Sequence, residues 1–120
     1  MVLTPHAAEF QRIAGVGPGQ YAVRSFAARS GAVVVLKGNP TRISDGGLPI
    51  LVTTGGPELA TIGTGDVLSG MIGALWARGL EPIQAAVSGA YWHGVAASYS
   101  AEQASVTAER LADDCGRFAW

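Results

Sequence analysis

Cysteine is nearly absent. Cys115 stands alone, so no intrachain disulfide can form, and no metal-ligand spacing surrounds it. A reducing, cytoplasmic compartment is the simplest reading. Charge is scarce too: Asp, Glu, Lys and Arg make up 14% of the chain, against about 25% in an average globular protein. The basic residues are scattered and the net charge is −1, which leaves no electrostatic footprint for nucleic acid or an anionic membrane. No apolar run approaches the roughly 18 residues of a membrane span. The opening "MVLTPHAAEF" lacks the charged and apolar regions of a signal peptide. Internal repeats, low-complexity segments and linkers are also missing.

Apolar residues make up 48% of the 120 residues, enough for one compact domain with a real core. With so little charge, this composition implies a large share of interior or interface surface. "MVLTPH" reads as the end of a strand and a Pro-containing turn, and "AAEFQRIAG" as a short helix stopped by Gly15. "QYAVRSFAARSG" places Ala22, Phe26 and Arg29 at helical spacing before Gly31. "AVVVLKG" is a β-branched run typical of a strand buried on both faces in a parallel sheet. "NPTRISDGG" is a short extended piece ending in a turn, and "LPILVTT" is the next strand. A helix is expected over residues 66–78, stopped by Gly79, and a second runs from Pro82 with little charge on any side. Thr107 is a possible N-cap for the last one, with Arg110 in the slot where a capping box has Glu. Alternating helices and strands make the class α/β.

The stretch "ATIGTGDVLSGMIGAL" sets Gly63-Thr64-Gly65-Asp66 directly before an apolar helix. A helix N-terminus carries unpaired N–H groups and a partial positive charge. Gly63 and Gly65 clear side chains from the approach, so several amides can converge on one oxyanion. Asp66 stands in the first turn, placed to accept a proton from a hydroxyl. An anion cradle beside a base suits phosphoryl transfer. Spacing alone equally admits an Asp cap after a Gly-rich turn. A P-loop is excluded because no lysine follows these glycines, and a dinucleotide fingerprint because position 68 is Leu.

Two further positions belong beside it. In "LTPHAAEF", His6 follows a strand at the C-terminal edge, where open α/β sheets bind ligands. It is either a ligand contact or a capping histidine. In "VLKGNPT", Lys37 ends the buried strand at the same edge, able to reach a phosphate or merely to snorkel. His93, in "AYWHGVA", reads as a packed core or interface residue.

In order and spacing, "LTPHAAEF", "VVLKGNPT" and "ATIGTGDVLSGMIGAL" resemble the ADP/ATP-dependent NAD(P)H-hydrate dehydratases of the ribokinase-like superfamily. "SVTAERL" is similar to that family's closing segment. The resemblance implies a three-layer α/β/α fold with a mostly parallel sheet. It also implies a repair reaction, in which hydrated NADH or NADPH is dehydrated at the expense of ADP or ATP with Mg²⁺. Asp66 would then be the base, and Gly63, Thr64, Gly65 and Asp66 the anion hole. Lys37, Gly38, Asn39, Pro40, Thr41 and Gly65 would hold the nucleotide, while His6 and Asp66 would contact the hydrate. No protein cage for the metal is expected. Ile62 departs from the family pattern, which has Gly there, and "TTGGPELAT" departs from its Asn-Pro-Gly turn.

The family's domain carries a substantial N-terminal half before its T-P-H strand. Residues 1–120 therefore read as one partial domain, completed by a second copy or by a separate N-terminal chain. Two other readings stay open: a ribokinase-like kinase of small hydroxymethyl or vitamin-precursor alcohols, and a truncated, non-catalytic fragment that needs a partner.

Overall fold

Four consecutive apolar residues, Val33–Leu36, form β2, and every one of them is buried. Successive strand residues face opposite sides, so burying all four requires a layer on each face. The computed structural model, which describes residues 1–56, 64–103 and 107–119, supplies both layers. Val34 and Leu36 pack with Phe10 of helix α1 (Ala7–Ala14) and with Val23 and Ala27 of α2 (Gln20–Ser30). Val33 and Val35 pack on the other side, with Leu68, Ile72 and Leu75 of α3 (Thr64–Ala77) and Ala85, Ala86 and Ala90 of α4 (Pro82–Gln103). The result is the expected three-layer α/β/α arrangement.

The sheet order is β1 (Val2–Leu3), β2, β3 (Thr41–Ser44), β4 (Ile50–Val52). Its strand directions correct the expectation of a mostly parallel sheet. Only β1 and β2 run parallel; β2–β3 and β3–β4 are antiparallel. Loop length is the reason. Residues 37–40 and 45–49 are too short for a crossover, which takes a dozen or more residues, whereas β1 and β2 are joined through α1 and α2. Ser44 closes the second turn by donating its hydroxyl to Gly47 O at 2.7 Å.

The two helices between β1 and β2 end as the sequence implies. Gly15 and Gly31 adopt φ of 78° and 69°, and each returns its N–H to the last turn of its helix, a conformation that a Cβ would disfavour. Phe10 and Phe26 meet edge to face, with centroids 5.8 Å apart. Such a pair is worth about 0.5–1.5 kcal/mol beyond its burial. Arg29 lies over the Phe26 ring at 5.7 Å and so works from outside the core. Helix α5 (Ala108–Ala119) starts at Thr107, whose hydroxyl accepts the Arg110 N–H at 3.2 Å. Its Leu111 and Cys115 join Met71, Ala96 and Ala97 in a third apolar cluster. His93 is buried as expected, at 4% exposure. Among the described residues no helix is long and apolar enough to cross a membrane.

Helix α4 approaches the segment after β4 very closely. The Thr54 hydroxyl donates to Tyr91 O at 2.8 Å. A Cβ on Gly94 would lie 2.5 Å from the Thr54 carbonyl carbon and oxygen, and main chain cannot swing aside as a side-chain tip can. Gly94→Ala is therefore expected to lower stability by about 1–3 kcal/mol despite its better helix propensity. At Gly73, where nothing lies within 4 Å of a Cβ, the same change should add about 0.5–1 kcal/mol. Urea unfolding of both variants measures the contrast.

Burial, with a smaller push from the neighbouring Asp114 carboxylate, raises the Cys115 thiol from 9.0 to about 11. The folded chain thus favours the protonated thiol. Its contribution is complete below pH 9.0 and is lost as pH rises from there through about 11. Iodoacetamide should leave Cys115 untouched in the native protein at pH 7 and alkylate it readily in urea, as mass spectrometry would detect.

Candidate active site

Parallel pairing of β1 with β2 brings the ends of both strands to one edge of the sheet. The ladder continues past them, since Lys37 N–H donates to Pro5 O at 2.9 Å. Thr4, Pro5 and His6 therefore stand beside Lys37, although more than thirty positions separate them in the chain. Packing of α3 on the Val33/Val35 face brings its first turn to the same edge, and the Thr4 and Ser69 hydroxyls meet across the junction at 3.2 Å. Between these parts lies an open cleft of about 320 Å³, lined by Thr4, Glu9, Lys37, Gly65, Asp66 and Ser69.

Lys37 and Gly65 lie close together in the cleft. A Cβ on Gly65 would come within 2.8 Å of Lys37 Nζ, so the absence of a side chain is what lets the ammonium lie over the start of α3. Lys37 is also the chain's sole lysine. Thr64 and Gly65 belong to the helix rather than to a preceding loop. Their amides, with that of Asp66, are first-turn groups without intrahelical acceptors. Cationic Lys37, open amides and the Asp66 carboxylate thus share one small space, an arrangement suited to holding an anion next to a proton acceptor.

Of the residues singled out from sequence, Lys37, Gly65 and Asp66 line the cleft together. Residues 38–40 form the adjoining turn, closed where the Thr41 hydroxyl donates to Gly38 O at 3.1 Å. Gly63 and Ile62 lie outside the described residues. His6 does not line the cleft; it is the N-cap of α1, its side chain 52% exposed. Its Nδ1 accepts the Glu9 N–H at 3.2 Å, and its own N–H donates to Glu9 Oε1 at 3.0 Å, a reciprocal capping box.

Three cleft residues were not singled out: Thr4, Glu9 and Ser69. Glu9 follows His6 by three positions, the spacing of a capping box. Ser69 follows Asp66 by three, which places both on one helix face. Thr4 carries no comparable signal beyond its place in "LTPH".

Glu9 is held below its ordinary value of 4.5, first by the hydrogen bond from the His6 N–H, against an upward push from desolvation, with lesser lowering by attraction to His6, Lys37 and Arg12. A lowered carboxyl stabilises the fold above its unfolded value, and that contribution disappears as pH falls from 4.5 through the lower folded value. NMR titration of the Glu9 carboxyl carbon should give a midpoint below 4.5; a midpoint above it would contradict this account of the cap.

The fold is an α/β domain with a polar cleft at the edge of its sheet. The sequence model of the NAD(P)H-hydrate dehydratase family, in the carbohydrate-kinase group, matches residues 1–116, and the chain belongs to that family. The bifunctional NAD(P)H-hydrate repair enzyme Nnr of Mycobacterium leprae is 52% identical over 104 residues, covering 83% of this chain and 22% of that protein. The ADP-dependent (S)-NAD(P)H-hydrate dehydratase of Neisseria meningitidis serogroup B is 42% identical over 121 residues, covering 95% of this chain and 41% of that protein. Among solved structures, the Bacillus subtilis ADP/ATP-dependent NAD(P)H-hydrate dehydratase co-crystallised with ATP/Mg²⁺ superposes with a TM-score of 0.90 at 34% identity, over 98% of this chain and 46% of that one. The chain thus spans less than half the length of each of these three proteins.

Proposed function

We propose that this chain carries the phosphoryl-transfer half of an NAD(P)H-hydrate dehydratase site. The observation that supports the reading best is Lys37 Nζ held over Gly65 in the same cleft as Asp66. The ring hydroxyl of hydrated NADH or NADPH attacks the terminal phosphoryl group of ADP or ATP. Asp66 takes the hydroxyl proton as the new O–P bond forms and the donor's own P–O bond breaks, releasing AMP or ADP. Lys37 and the amides of Thr64, Gly65 and Asp66 hold the transferring phosphoryl group. Phosphate then leaves with the C–O electron pair. Loss of a proton from the adjacent ring carbon restores the double bond of the dihydropyridine.

The nucleotide lies along residues 37–41 and the hydrate lies against His6 and Asp66. The donors in the cleft suit Mg²⁺, which prefers oxygen ligands and keeps several of its waters. Among the described residues no group of three or more His, Cys, Asp or Glu side chains converges, so the ion rests mainly on phosphate and water. When bound, Mg²⁺ neutralises phosphate charge.

A cytoplasmic location fits the single, buried thiol.

Incubating the chain with hydrated NADH and ADP or ATP, and following the return of NADH absorbance, tests the reading. Asp66→Asn should reduce the rate about 10²–10⁴-fold, and full activity in that variant would sink the mechanism. Gly65→Ala should displace Lys37 and weaken nucleotide binding while leaving the unfolding midpoint nearly unchanged, because only the tip of a flexible side chain has to move. Nucleotide consumption with a simple alcohol and no recovery of NADH would assign the site to small-molecule phosphorylation instead. Turnover that starts only when the family's N-terminal region is supplied would show that the site needs residues beyond 1–120.

A further inference from the structure

The reaction proposed above moves two protons, one from the ring hydroxyl and one from the adjacent ring carbon, and Asp66 accounts for the first alone. Having taken the hydroxyl proton, Asp66 is a neutral acid and cannot accept another until it gives that one up. Two carboxylates line the cleft, Glu9 and Asp66. They belong to helices on opposite faces of the sheet, α1 on the Val34/Leu36 side and α3 on the Val33/Val35 side. A ring held in the cleft thus meets a carboxylate from each layer. Glu9 is also fixed in place. Its Oε1 accepts the His6 N–H at 3.0 Å as part of the α1 cap, while among the described residues nothing hydrogen-bonds to Oε2. The same cap bond keeps the carboxyl ionised, as a base must be.

We infer that Glu9 is a second catalytic base, whose Oε2 takes the proton from the ring carbon in the elimination step while Asp66 serves the phosphoryl transfer. The inference rests on the functional reading proposed above. The lone pair of the ring nitrogen expels the phosphate: the C–O bond breaks with both electrons on the departing oxygen, and a cationic C=N group is left behind. The Asp66 carboxylic acid returns its proton to that oxygen. The neighbouring C–H, made acidic by the cation, gives its proton to Glu9. Its electron pair becomes the new C=C bond and the nitrogen is neutral again. A proton acidified in this way needs no strong base, so a carboxylate held at low basicity suffices. Glu9 then passes the proton to water, since its side chain is 46% exposed.

Glu9→Gln separates the two roles of this side chain. It keeps an acceptor for the His6 N–H and so preserves the capping box, but it cannot take a proton. Rapid quenching of the full chain with hydrated NADH and ADP, supplied with the family's N-terminal region if turnover requires it, follows AMP and NADH separately. In the wild type the two should appear together. Glu9→Gln should slow the return of NADH about 10²–10⁴-fold, while AMP release in the first turnover changes far less. Phosphorylated hydrate should then accumulate, visible by ³¹P NMR. Deuterium on the same ring carbon should slow NADH return further in this variant without slowing AMP release. Asp66→Asn should block both products. An equal loss of AMP and NADH in Glu9→Gln would reduce Glu9 to a structural cap, and NADH return at the wild-type rate would remove it from the chemistry. Either result overturns the inference and leaves the functional reading intact. If the wild type forms no AMP from the hydrate, with or without the added region, the functional reading falls and the inference with it.

Discussion

The parallel pairing of β1 with β2 is the constraint on which the site depends. Two residues of β1 bond alongside β2, and the Lys37–Pro5 backbone bond carries the ladder beyond both strands. Antiparallel pairing of the same strands would send their ends to opposite edges of the sheet, with His6 and Lys37 a full strand length apart. Parallel pairing in turn needs a long connection, and α1 and α2 provide it while covering one face of β2. The two helices therefore act as the cover that lets both strands end together.

The second face of β2 performs the matching task for α3. Leu68, Ile72 and Leu75 anchor that helix on Val33 and Val35, and burial of each such side chain is worth about 1.5–3 kcal/mol. This anchoring fixes the polar first turn indirectly. Asp66 and Ser69 are exposed residues on a helix whose opposite side is buried, so the cleft is built from the leftover face of a core element. The Thr4–Ser69 hydroxyl contact then ties the two contributions together at small energetic cost.

Much of this was readable from local residue patterns. Gly15 and Gly31 marked the ends of α1 and α2, the β-branched run marked β2, and Thr107 marked the start of α5, because each reflects short-range chemistry. Strand direction was misjudged: a run buried on both faces says nothing about which neighbour it meets, and the short loops before β3 and β4 were the better guide. At the site, Lys37, Gly65 and Asp66 could be grouped from motif order. The approach of Lys37 to Gly65 could not, since it depends on how far a helix and a strand end stand apart in space. Glu9 was overlooked although His6 and Glu9 have capping-box spacing, because histidine is an unusual first member of that pair.

The alternation along β2 has a consequence for how the chain tolerates change. Val33, Val35 and Lys37 share one parity, and Val34 and Leu36 the other. A single residue inserted or deleted between Val33 and Lys37 would keep an apolar run that still buries itself on both sides. It would nevertheless turn the ammonium away from Gly65 and toward the α1 and α2 layer. Hydrophobicity alone would not register the error, because valine and leucine suit either face. The odd–even count of one short strand is thus a part of the site that no side chain in the cleft carries.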